Sequence, residues 1–164
     1  MNRRRFTLTL AGLALGPLLY NRVTAGKQER SMATHRIVRS DEEWRSLLTP
    51  AQYEVLRDEG TERPWTSPLN DEKRAGTYLC AGCDNRLFRS ETKYDSGTGW
   101  PSFYDVLDGA VDTKRDYKLI LPRTEYHCAR CGGHHGHVFN DGPQPTGLRY
   151  CNNGVALKFV PDAA

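Results

Sequence analysis

Residues 128–159 read CARCGGHHGHVFNDGPQPTGLRYCNNGVALKF. Three short runs in this stretch and one residue beyond it, His137–Phe139, Leu148–Cys151 and Val155–Val160, are rich in branched and aromatic residues. Asn, Asp, Gly and Pro punctuate them, which is the pattern of short antiparallel strands joined by turns. The stretch also gathers a Cys-x-x-Cys pair, three histidines, an aspartate and a lone cysteine, Cys151. Thiol, imidazole and carboxylate together are the parts of a nucleophilic site.

The same texture extends upstream as far as Gly76. Thr77–Cys80, Arg86–Phe88, Phe103–Leu107, Tyr117–Leu121 and Thr124–His127 read as further strands. Many short strands with regular turn signals predict a mainly β domain, an antiparallel sandwich or open barrel. Before it come a few short helices. Ser40 with Glu43 forms a capping box ahead of Trp44, Leu47 and Leu48. Thr49-Pro50 starts a second helix, with Tyr53 and Leu56 on one face and Gly60 as its stop.

The first 25 residues read as an export signal peptide. Arg3, Arg4 and Arg5 precede an apolar run from Phe6 to Leu19, which is too short for a comfortable membrane span. Val23 and Ala25 suit a peptidase, and Arg-Arg-x-Phe fits the twin-arginine address. The expectation is export to the periplasm by that pathway, with an ordinary secretory leader as the plainer alternative. Residues 26–39 read as a linker and 40–164 as one catalytic domain. The leader holds four of the 23 basic residues and none of the 20 acids, leaving 19 against 20. A nearly neutral mature domain lacks the basic footprint of a nucleic-acid binder. Monomer is the default expectation.

Cys80-x-x-Cys83 and Cys128-x-x-Cys131 form two matching pairs 44 residues apart. Two such turns close a tetrahedral four-thiolate site, the form of a structural zinc. The competing readings are a zinc-ribbon-like interaction module or a thiol–disulfide oxidoreductase. A redox pair usually opens a helix after a strand, and neither pair is so placed. With four cysteines on one zinc ion, Cys151 is left free. A lone buried cysteine is commonly a small hydrophobe. The polar neighbours Arg149, Tyr150, Asn152 and Asn153, and the pair His134 and His137 beside Asp141, mark this one out as a candidate nucleophile.

Three blocks, GTERPWTSPL (60–69), GTYLCAGCDNRLFRSETKYDSGTGWPSFYDVL (76–107) and 128–159, resemble the methionine sulfoxide reductase B family in order and spacing. That family reduces the R epimer of methionine sulfoxide. The resemblance implies two antiparallel sheets, zinc on Cys80, Cys83, Cys128 and Cys131, and Cys151 as catalytic nucleophile. It implies active-site roles for Asn153, His134, His137 and Asp141, and places Trp100 against the sulfoxide methyl, with Phe139 and Arg149 also in the substrate site. Arg149 or a protonated histidine would favour the Cys151 thiolate. His137 or His134 would protonate the oxygen, with Asp141 orienting the ring. Many members carry a resolving cysteine in an SGCGW motif, whereas this chain has Thr98 there. The Cys151 sulfenic acid is therefore expected to be reduced by a thioredoxin-like protein or a small thiol. Substrates would be oxidised proteins or peptides, and free methionine sulfoxide is left open. His135, between the two motif histidines, reads as a surface residue.

Overall fold

The computed structural model describes residues 37–118 and 121–163. The expected leader, and the linker up to residue 36, lie outside them. Helix α1 (Asp41–Leu47) begins at Ser40, whose hydroxyl accepts from the Glu43 amide while the Glu43 carboxylate accepts from the Ser40 amide. Helix α2 (Pro50–Leu56) repeats the device with Thr49 and Gln52. It stops at Leu56 rather than at Gly60, and the Gly60 amide folds back onto the Glu54 carbonyl at 2.9 Å. The two helices bury Trp44, Tyr53, Val55 and Leu56.

Among the described residues nine strands follow: β1 (Gly76–Cys80), β2 (Arg86–Arg89), β3 (Lys93–Tyr94), β4 (Ser102–Phe103), β5 (Val111–Asp116), β6 (Arg123–Cys128), β7 (His134–Phe139), β8 (Arg149–Asn152) and β9 (Leu157–Pro161). They form two antiparallel sheets, β2-β1-β9 and β3-β4-β8-β7-β6-β5, as the sequence predicts. Rings from both sheets meet in the core. Phe88 stacks on Phe103 at 4.3 Å between centroids, Tyr78 meets Phe103 edge-on at 4.8 Å, and Tyr126 meets Tyr150 at 5.3 Å. Burying each such side chain contributes about 1.5–3 kcal/mol.

Three strand predictions need correction. Tyr117 and Leu121 lie outside any strand and are exposed, and the strand in this region is β5, just upstream. The predicted Phe103–Leu107 strand ends at Phe103. The segment Gly154–Ala156 is a 3-10 turn, so β9 starts at Leu157 and not at Val155. For the site, the decisive feature is the place of β8 between β4 and β7. It sets Cys151 opposite Ser102 on one side and His137 on the other.

Candidate active site and metal centre

Cys80 ends β1 and Cys128 ends β6, with Cys83 and Cys131 in the turns that follow. The four sulfurs lie within 4.8 Å of one another, and Cys80–Cys131 and Cys83–Cys128, across the two turns, are each 3.6 Å apart. Four sulfurs about 2.3 Å from a central zinc would sit roughly 3.8 Å apart, so the cluster fits that ion. The two turns match locally. After each second cysteine comes a left-handed residue, Asp84 (φ 56°) and Gly132 (φ 70°), and an amide returns to the first cysteine's carbonyl. Asn85 adds a side-chain N–H to the Cys128 sulfur at 3.5 Å. Thiols gathered on one point in this way could hold a metal ion. They are not two separate redox pairs.

Cys151 stands apart from this cluster. It faces a cavity of about 120 Å³ lined also by Thr61, Trp100, Arg123, His137, Phe139 and Asn153. Burial pushes its thiol up. The Arg149 guanidinium and the Thr98 hydroxyl act in the opposite direction. His137 reaches this wall because the residue before it, Gly136, has φ +155° and passes so close to β8 that a Cβ would lie 2.0 Å from the Cys151 carbonyl oxygen. Only glycine permits that approach.

The carboxylate partners differ from those expected. Asp141 does not orient an imidazole. It grips Arg149 with two bonds, Nε and Nη2 each donating at 2.8 Å. The same guanidinium lies 4.3 Å from the Phe139 ring centroid, and Asp141 thus holds in place the cation that favours the Cys151 thiolate. The histidine partner is Asp116 on β5, with its Oδ2 2.7 Å from His137 Nε2 and 2.6 Å from Arg123 Nη2. A Lys118 amide and the His137 ring together hold the Asp116 carboxyl well below the usual carboxylate range. Burial lowers His137, while Asp116 raises it. His134 lies behind, its Nδ1 3.0 Å from Glu125 and its ring 5.6 Å from that of His137. It does not line the cavity. His135 is not at the surface: it is fully buried, stacked parallel to Tyr126, and burial holds it at about 4, so it is neutral at pH 7.

A rim segment at Thr61 and Glu62 closes the opposite wall. Trp100 Nε1 donates to the Glu62 carbonyl at 3.1 Å, and the Glu62 amide donates to Asn153 Oδ1 at 2.9 Å. The Glu62 carboxylate accepts from the amides of Gly154 and Val155. Asn153 Nδ2 and its own amide both donate to the His135 carbonyl. Asn153 thus ties rim, β7 and the segment after β8 together. Asp116, Arg123 and Glu125 carry no motif signal in the sequence, and Glu62 lies in the 60–69 block without an assigned role; only the fold brings them here.

Residues 48–161 match the family model of the SelR domain. The chain belongs to the methionine sulfoxide reductase B family. It is 56% identical over 140 residues to the peptide methionine sulfoxide reductase MsrB of Leifsonia xyli, covering 84% of this chain and 97% of that one. With the protein of the same name from Pseudomonas putida it shares 57% over 127 residues, 77% and 96% of the two chains. The crystal structure of the Mis18 "Yippee-like" domain overlays with TM-score 0.43 and 18% identity over 56% of this chain, too low to argue a shared fold. Of the residues expected from the reductase family's motifs, Trp100, His137, Phe139, Cys151 and Asn153 line one cavity. Arg149 joins them through the thiol, and His134 and Asp141 stand behind His137 and Arg149 respectively.

Proposed function

We propose that this chain reduces methionine-R-sulfoxide in oxidised proteins and peptides to methionine, with the Cys151 thiolate as nucleophile. The observation that carries this reading is a lone cysteine, outside the four-thiol cluster, sharing a 120 Å³ cavity with an indole and a carboxylate-paired imidazole. A methylsulfinyl group fits that volume. Trp100 supplies an apolar wall for the methyl, and His137 reaches the cavity where the oxygen would lie. A wider apolar hollow of about 740 Å³ adjoins it through the shared residues Arg123 and Phe139. It leaves room for the peptide on either side of the oxidised methionine.

Sulfoxide sulfur is weakly electrophilic until its oxygen is protonated. The thiolate attacks sulfur as the His137 imidazolium gives its proton to oxygen. Oxygen transfers to Cys151, so thiolate, sulfoxide and one proton become sulfenic acid and sulfide, the first rung of cysteine oxidation. Thr98 cannot form a disulfide, and the other four cysteines belong to the cluster. An external thiol therefore attacks the sulfenic acid, releasing water. A second thiol then frees Cys151. In the zinc-bound form, Cys80, Cys83, Cys128 and Cys131 hold a metal that ties the two sheets and takes no part in these steps. The Arg3–Phe6 leader directs the folded enzyme to the periplasm, where a thioredoxin-like protein or small thiol serves as donor.

Two measurements test this. With dithiothreitol as donor, the R epimer should turn over and the S epimer should not. With one equivalent of substrate and no donor, dimedone should label Cys151. A mass loss of two hydrogens in place of the dimedone adduct would mean an internal disulfide and sink the external-thiol route.

Asp116→Asn tests the acid. The variant removes the negative charge that keeps the His137 proton in place, so His137 titrates lower still. Activity that needs the protonated ring is lost as pH rises through its pKa. The alkaline limb of kcat/KM should therefore move about one pH unit toward acid. An unmoved limb would remove His137 as the proton donor.

A further inference from the structure

The two cysteine turns fold alike and differ in what fills one position. The Cys80 amide donates to the Asn85 carbonyl at 2.8 Å, and the Cys128 amide donates to the Gly133 carbonyl at 2.9 Å. Asn85 and Gly133 are therefore equivalent, each closing its own turn. At Gly133 the space is taken, since a Cβ there would lie 2.9 Å from Leu56 Cδ2 and 3.4 Å from the Cys131 sulfur. At Asn85 a side chain fits, and it reaches across the cluster to the other turn.

The side-chain amide nitrogen of Asn85 carries two hydrogens. It donates to the Ala110 carbonyl at 3.1 Å and to the Cys128 sulfur at 3.5 Å. The Ala110 carbonyl also accepts from the amide of Ala129, the residue after Cys128, at 3.0 Å. Asn85 is thus held at its own carbonyl by Cys80 and at its side chain by Ala110 and Cys128. It joins the first cysteine of one turn to the first cysteine of the other. Cys128 is wholly buried, so water does not take the place of that N–H. Four thiolates around one divalent zinc leave excess negative charge on the sulfurs. A hydrogen bond to a charged acceptor is roughly twice as strong as a neutral one.

We propose that Asn85 is a positioning residue for the zinc centre, which holds the Cys128 sulfur from the opposite turn and slows release of the metal. The proposal rests on the reading of the four cysteines as zinc ligands. It gives a side chain outside that set a measurable part in keeping the ion.

The test is zinc release from the zinc-loaded full chain into an excess of the colorimetric chelator pyridylazoresorcinol at neutral pH. Absorbance reports the rate without any sulfoxide turnover. Asn85→Leu keeps the size and lacks the N–H. Asn85→Asp keeps the shape and turns oxygen toward the sulfur. Both should release zinc faster by roughly 10- to 100-fold, the scale on which losing a partner that orients a metal ligand weakens metal binding. Cobalt supplies a reading that a space-filling role would not move. In the cobalt-substituted protein, the thiolate-to-metal charge-transfer band should shift to longer wavelength in Asn85→Leu, because sulfur loses the hydrogen bond that lowers its lone pairs. Asn85→Asp decides alone if Asn85→Leu does not fold. The proposal is overturned if both variants release zinc at the wild-type rate, if Asn85→Asp alone does so, or if the cobalt band stays in place. A wild type that binds no zinc overturns the zinc reading as well, whereas unchanged variants of a zinc-bound wild type overturn the role of Asn85 alone.

Discussion

Replacing Cys151 with serine is expected to remove dithiothreitol-driven reduction of the R sulfoxide, lowering kcat by roughly 10³-fold or more, as when other enzymes lose their nucleophile. A serine hydroxyl ionises far above neutral pH. No other thiol shares the 120 Å³ cavity, since the remaining four cysteines converge on one another. The substitution changes one atom of a partly exposed side chain and leaves the cluster untouched, so zinc content and melting temperature should hold. A serine variant that keeps its activity would refute the assignment of the nucleophile, whatever its stability.

The second large effect concerns the cluster. Cys80 and Cys128 are fully buried, and the metal would join the ends of β1 and β6, which belong to different sheets. Structural zinc contributes on the order of 10 kcal/mol where it has been measured, comparable with the whole stability of a domain this size, about 5–15 kcal/mol. Cys128→Ser, or removal of the metal by chelation, should therefore lower the melting temperature by on the order of 20 °C or unfold the chain outright. Circular dichroism melts alongside zinc content would measure it. A metal-free protein that melts with the wild type would show that the four thiols do not depend on an ion to hold them.

The parts legible in the sequence were those with local causes. The Ser40–Glu43 capping box and the Thr49-Pro50 start announce the two helices, and the paired Cys-x-x-Cys turns announce the candidate metal centre. Strand β5 was missed because VDTKRD offers one apolar residue in six. It is an edge strand, its middle four residues solvent-facing, held by pairing with β6. The more apolar segment just after it, from Tyr117, looked better as a strand, yet Tyr117 and Leu121 are 72% and 76% exposed. The two-residue strands β3 and β4 exist only through their partners. At the site, Asp141 looked like the histidine partner because it lies four residues from His137 along the chain. The true partner, Asp116, lies 21 residues away and meets it only through the β5–β6–β7 pairing. His135, which the sequence places at the surface, is buried where the β6–β7 register shifts between Tyr126 and His127.

Glu62 offers a different lesson. Through its amide, carbonyl and carboxylate, this one residue binds Asn153, Trp100, Gly154 and Val155. The wall against which a substrate would lie is therefore assembled before any substrate arrives. Binding need not order a loop, and no free energy is diverted into closing a lid. Selectivity then comes from fit to a rigid mould, which favours a small methyl sulfoxide and turns away bulkier ones at the mouth. Such a mould suits a repair enzyme whose targets share one small side chain and little else.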